Sequence, residues 1–234
     1  MWLEAVRSLV RSIGRDGVRT ALHLVRARWS DRDFDRKYGT ETYSWEGSQR
    51  LGVAADRMID AEPYKPSHAG SLRALLGGLG VGPGDVLLDV GSGKGRVLMV
   101  AAELGIGQAR GVEISPRLTA VAERNLACFG KNRPHQTAFE LVCSDIRDYR
   151  LRDDESLVYL FNPFGAGLTA HVANLVRDSL QRRPRSLHVI YRAPDHAASS
   201  FDRCEELAGG LELRIDGQDY LVFRSRAGAA PGGI

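Results

Sequence analysis

A chain of 234 residues with 43% hydrophobic and 26% charged side chains has the composition of a soluble globular protein, one large core with an appendage, and excludes a disordered or collagen-like chain. Its net charge of +3 is too small to make nucleic acid or an anionic membrane the default partner. Three cysteines, Cys128, Cys143 and Cys204, lie far apart without metal-ligand spacing, so neither a disulfide framework nor a metal site is expected and a reducing cytoplasm fits.

Residues 1–29 read as an amphipathic helix, with Leu3, Val6, Val10, Ile13, Val18, Leu22 and Val25 at helical spacing and Arg7, Arg11, Arg15 and Arg19 on another face. The arginines interrupt any signal-peptide core, and no run reaches the ~18 apolar residues of a membrane span. Residues 1–39 hold nine Lys/Arg and five Asp/Glu, so the basic excess sits in this appendage; a solvated arginine face is the reading adopted over a membrane or polyanion contact. Arginine outnumbers lysine 28 to 4, a codon bias expected of a GC-rich bacterial genome.

The aromatic-rich stretch FDRKYGTETYSWEGSQRLG (34–52) leads to a connector with two prolines, and Ser67 is positioned to cap the helix SHAGSLRALLGGLG, which a glycine cluster ends. From residue 85 short apolar strands, DVLLDV (85–90), ARGVEI (109–114), AFELVC (138–143), SLVYLF (156–161) and SLHVIY (186–191), alternate with helical stretches. That alternation predicts a doubly wound parallel α/β sheet. LELRI and YLVFR, joined through Asp216-Gly217, predict a closing antiparallel hairpin. The expected organisation is an N-terminal helical appendage acting as a lid (1–60), a core (61–226) and a disordered tail (227–234).

The chemistry concentrates in VLLDVGSGKGRVLMVAAELG (86–105), a buried strand that breaks into a glycine-rich turn and enters a helix. Gly91, Gly93 and Gly95 permit close backbone approach to a ligand. A phosphate loop fits poorly, because Leu88 stands where the first glycine of G-x-x-x-x-G-K-[ST] belongs and Gly95 where the Ser/Thr belongs. A dinucleotide loop fits poorly, since Arg96 replaces the last glycine and Asp89 would repel a pyrophosphate. A carboxylate there suits a cofactor bearing an ammonium and a sulfonium.

These residues resemble motif I of the class I S-adenosylmethionine-dependent methyltransferases, and the likeness runs over about residues 60–225. The resemblance implies a Rossmann-like seven-stranded sheet with S-adenosyl-L-methionine as cofactor. By position, Glu113 in GVEIS, followed by Ile114, matches the acid that holds the ribose hydroxyls, and Asp145 with Ile146 matches the adenine contact. Asn162-Pro163-Phe164-Gly165 is similar to motif IV beside the transferred methyl, without its terminal aromatic. Plainer alternatives are loop acids at Asp89 and Glu113, a turn cap at Asp145, and a strand-ending turn at Asn162-Pro163.

A narrower resemblance, to a bacterial methyltransferase subgroup and distantly to non-SET protein lysine methyltransferases, rests on FDRKYGTET, YKPS and DVGSGKGR together. It implies an N-terminal portion folded over the cofactor, with Tyr38, Thr42, Tyr64 and Ser67 as wall or acid/base groups. Tyr38, Tyr64 and His68 are the expected catalytic candidates; Tyr38, Thr42, Trp45, Pro163 and Phe164, with Tyr43 nearby, are the expected acceptor wall. The alternative for these aromatics is simple packing of the appendage on the core. The expected acceptor is an aromatic or nitrogenous small molecule, an indole-type natural product included, with neither nucleic acid nor membrane as partner. Protein lysine methylation, RNA methylation and a catalytically inactive cofactor-binding protein stand as alternatives, and both a monomer and a homodimer stay open.

Overall fold

Seven strands form one sheet in the order β3-β2-β1-β4-β5-β7-β6. The computed structural model describes residues 33–44, 53, 64–161, 165–192 and 199–226. The helix expected over 1–29, Trp45, the Asn162-Pro163-Phe164 turn and the tail 227–234 lie outside the described residues.

The parallel part comprises β1 (Val86–Val90), β2 (Gln108–Glu113), β3 (Ala138–Cys143), β4 (Leu157–Phe161) and β5 (His188–Arg192). Between and around them run α1 (Ala69–Gly78), α2 (Arg96–Glu103), α3 (Pro116–Asn132), α4 (Ala166–Arg182) and the short α5 (Ser199–Asp202). β6 (Leu211–Ile215) and β7 (Gln218–Arg224) add the antiparallel hairpin, with β7 inserted beside β5. Asp216 and Gly217 both take positive φ, 48° and 68°, the left-handed pair that a two-residue hairpin turn requires.

Strands buried on both faces must be apolar at every position, and β4 shows how the sequence meets that demand. Leu157 and Tyr159 join one core cluster, with Leu87, Ala109, Ile190 and Tyr220 under α1, α2 and α3. Val158 and Leu160 join the other, with Leu88, Val90, Val189 and Tyr191 under α4 and α5. Strand order reverses at β1, with β2 on one side and β4 on the other, which opens a crevice at the carboxyl ends of these strands.

The cap of α1 differs from expectation. His68 is the N-cap, its Nδ1 accepting from the Ser71 N–H at 3.2 Å, while the Ser67 hydroxyl pairs with Tyr159 Oη at 2.9 Å. A buried strand tyrosine needs a hydroxyl partner, and Ser67 is the side chain that reaches it. Among the described residues no helix is long and apolar enough to cross a membrane.

Candidate functional site

The turn after β1 is built on three left-handed glycines, Gly91, Gly93 and Gly95, with φ of 76°, 54° and 82°. That run folds the backbone so that the Gly91 and Ser92 N–H groups donate to Val112 O at 2.8 and 3.1 Å, clamping the loop to the end of β2. Close approach matters most at Gly93. A Cβ added there would meet the Tyr64 ring at 2.3–2.4 Å, so the edge of the tyrosine ring abuts this glycine. Ser92 Oγ is buried against Gly111 and has no hydrogen-bond partner among the described residues.

Asp89 and Glu113 stand on one face of the sheet, at the carboxyl ends of adjacent strands, 2% and 6% exposed. Glu113 accepts from the Gly93 N–H and the Ser115 N–H, both at 2.9 Å. The Ile114 N–H adds a third backbone donor, and the accepting capacity left over faces a ligand hydroxyl. Burial raises the Glu113 carboxyl above its usual range, opposed by these backbone donors. Burial, then the neighbouring Glu113 charge, pushes Asp89 well above the carboxylate range. Two buried acids so arranged favour a cationic or hydroxyl-rich ligand and disfavour a phosphate.

Asp145, just past β3, accepts from the Arg147 backbone N–H at 2.9 Å and pairs with the Arg147 guanidinium at 3.1 Å, capping a short 3-10 turn. Its neighbour Ile146 is buried with Val90, Val112 and Leu160. Ile114 is half-buried after Glu113, and Gly91 is exposed at the lip of the loop. Asn162, Pro163, Phe164 and Trp45 lie outside the described residues.

Tyr38 is a correction. Its ring is 2% exposed between Phe34 and Phe129, and its hydroxyl donates to Glu103 at the far end of α2. That helix starts at the glycine turn and descends ~10 Å to Glu103 at 1.5 Å per residue, so the structure does not bring this hydroxyl to the crevice. Thr42, expected on the acceptor wall, has a fully buried side chain that donates to Asp35 at 2.6 Å and accepts from Arg96 Nε at 2.7 Å. Its carbonyl accepts from Tyr64 Oη at 2.8 Å. Burial raises the Tyr64 phenol far above its ordinary value, in keeping with its donating to Thr42 O. His68 caps α1 through the ring nitrogen that a proton acceptor would use, and Tyr43 is half-buried.

Sequence reasoning missed the centre of the 33–44 segment, Asp35. Its carboxylate accepts from the Thr42 and Tyr43 N–H groups and the Thr40 and Thr42 hydroxyls at 2.6–2.8 Å, and faces buried Arg96 at 3.9 Å. The signal was present: an Asp seven residues before a Thr, and an Arg opening a mostly apolar helix. Buried Lys94 reaches Glu41 at 3.2 Å and Ser44 at 2.5 Å, tying the same segment to the glycine turn.

The topology is that of the Rossmann-like methyltransferase fold, with the glycine turn and the strand-end acids gathered at the carboxyl edge of its sheet. Residues 88–182 match the family model described as "Methyltransferase domain". Ribosomal protein L11 methyltransferase of Thermus thermophilus is 37% identical over 83 residues, which is 36% of this chain and 32% of that protein. The chain thus spans about a third of the length of the curated relative it matches. Among solved structures, an RNA methyltransferase from Salinibacter ruber in complex with S-adenosyl-L-homocysteine superposes with a TM-score of 0.55 at 18% identity, covering 71% of this chain and 97% of that one. The Escherichia coli protein yhhF does so with 0.55 at 15% identity, covering 80% and 92%. At these identities the superpositions speak for the fold.

Proposed function

We propose that this protein transfers a methyl group from S-adenosyl-L-methionine to a small-molecule acceptor with an aromatic or nitrogenous nucleophile. The carrying observation is the pair of buried acids, Asp89 and Glu113, around a left-handed glycine turn. This donor set fits the cofactor: in this reading Glu113 accepts from the ribose hydroxyls, Asp89 faces the cationic end, and Asp145 makes the adenine contact. The cofactor, when bound, supplies an electrophilic methyl on a sulfonium, a leaving group that asks mainly for alignment and a dry site. Tyr64, seated on Gly93 and tied to Thr42, excludes water from the loop and walls the crevice. No proton need leave through Tyr38, Tyr64 or His68 for a nucleophile that carries its own lone pair.

Enclosure by Tyr64 and by the 33–44 segment supports a small acceptor over a polymer laid across an open face. A protein amine is the second reading, favoured by the 37% identity with the L11 methyltransferase over part of the core. The full-length protein, incubated with methyl-labelled S-adenosylmethionine and a fractionated bacterial extract, is expected to label the small-molecule fraction. Label in protein or in RNA refutes the acceptor class, and no label in any fraction refutes turnover.

A further inference from the structure

Arg192 ends β5 at the carboxyl edge of the sheet, directly across from Phe161 on β4 and Tyr220 on β7. Strand alternation puts it two residues beyond Ile190, hence on the face that carries Tyr159 and Asp89, and one strand beyond β4 from the glycine turn. Its side chain is 9% exposed and its guanidinium lies over the Phe161 ring at 3.5 Å. Nη2 donates to the Gln218 side chain. Nε and Nη1 are buried and meet no hydrogen-bond partner among the described residues.

The other buried arginines are not left this way. Arg96 meets Asp35 and Thr42, and Arg110 meets Asp154, Glu140 and Glu155. A buried guanidinium with two unmet nitrogens is costly, and such a cost persists where a ligand repays it. Of the hydroxyls nearby, Tyr159 pairs with Ser67, and Tyr220 pairs with Ser71 while also facing the guanidinium, so the two phenols leave most of the Arg192 donors for a ligand. Guanidinium geometry sets what fits. Nη2 carries two protons, and whichever one Gln218 takes, the other completes a two-pronged edge with Nε or with Nη1.

We propose that Arg192 receives a carboxylate of the methyl acceptor, making the substrates small carboxylic acids; this rests on the methyltransferase reading above. A planar monoanion matches the edge of one guanidinium in both shape and charge. A phosphate diester of RNA also carries one negative charge, but it is tetrahedral and belongs to a polymer, which suits a guanidinium only 9% exposed less well.

The test is calorimetry on the full-length protein saturated with S-adenosylhomocysteine. Benzoate and indole-3-acetate are titrated against their amides, with inorganic phosphate and a uridine octanucleotide as further probes. The acids are expected to bind at least ~10-fold more tightly than the amides, the discrimination of one charge-assisted pair. In Arg192→Met that preference should vanish while S-adenosylhomocysteine affinity is kept. The melting temperature of the ligand-free variant should hold or rise, because an unmet buried charge has been replaced by an apolar chain of similar length. A purely structural Arg192 would instead melt early. Arg192→Lys should retain part of the preference. No acid binding, equal binding of acid and amide, a preference that survives in Arg192→Met, or binding of phosphate or the oligonucleotide in place of the acids overturns the proposal. Failure of the wild-type protein to bind S-adenosylhomocysteine overturns the cofactor reading instead, and the acid titrations repeated without it still decide the role of Arg192.

Discussion

Replacing Glu113 by glutamine keeps the shape of the side chain and removes half of its accepting capacity. The carboxylate receives the N–H groups of Gly93 and Ser115, one on each oxygen at 2.9 Å. Glutamine offers one oxygen and one NH2, so one of those backbone donors faces another donor and loses its bond, a cost of about 1–3 kcal/mol for an unmet buried N–H. Two effects act the other way: a neutral amide escapes the burial penalty of the charge, and Asp89 loses a like-charged neighbour. The net loss of stability should be about 1–2 kcal/mol, small enough for the variant to stay folded. Cofactor binding should suffer more, because two hydroxyl hydrogen bonds to a charged acceptor become one bond to a neutral one. At about 1.5–3 kcal/mol for each charge-assisted bond, a loss near ~2–4 kcal/mol raises the dissociation constant of S-adenosylhomocysteine ~30- to 1000-fold from a micromolar baseline. Calorimetry on the folded variant measures this directly. An affinity within twofold of wild type would refute the ribose assignment.

Tyr38→Phe should leave turnover unchanged and cost about 1–2 kcal/mol in urea denaturation, the worth of one buried hydrogen bond to a charged group that keeps Arg73 as a partner; a 100-fold fall in rate would return Tyr38 to the catalytic machinery. Asp35→Ala should destabilise the protein by about 3–5 kcal/mol, because it strips the charge partner from a buried arginine, and a loss below ~1 kcal/mol would contradict the role given to Asp35. Acids whose folded pKa is raised hold more protons in the folded than in the unfolded state, so the stability they favour is complete below the ordinary carboxylate range and declines as pH rises through their raised values. The melting temperature of the ligand-free protein should therefore fall as pH climbs from ~4 toward neutrality, with a gentler slope in Asp89→Asn. Identical slopes in the two proteins would dismiss Asp89 as the source.

The central parallel strands were legible because burial on both faces forces uninterrupted apolar runs, and the predicted SLVYLF run encloses Leu157–Phe161, whose first four residues are buried. The hairpin was legible in Asp216-Gly217, a dipeptide whose two positive φ angles few other residues tolerate. What escaped was set by long-range partners. Nothing near Tyr38 in sequence says that its hydroxyl meets Glu103, and Ser67 and His68 exchange roles because Tyr159, far along the chain, claims the Ser67 hydroxyl. Arg192 carried a readable sign, a charge at an inward position of HVIYR, but its unmet nitrogens depend on which side chains β4 and β7 bring beside it.

The 33–44 segment grips α2 at both ends, Asp35 and Thr42 on Arg96 beside the glycine turn and Tyr38 on Glu103 at the opposite tip. A brace of that kind ties the segment to the core at two points. Protection of the α2 amides from hydrogen exchange should rise and fall with that of residues 33–44, as one cooperative unit. A fragment begun at residue 60 on the premise of a detachable lid would leave Arg96 and the inner faces of α2 and α3 uncovered, so the natural place to cut this protein lies N-terminal to Phe34.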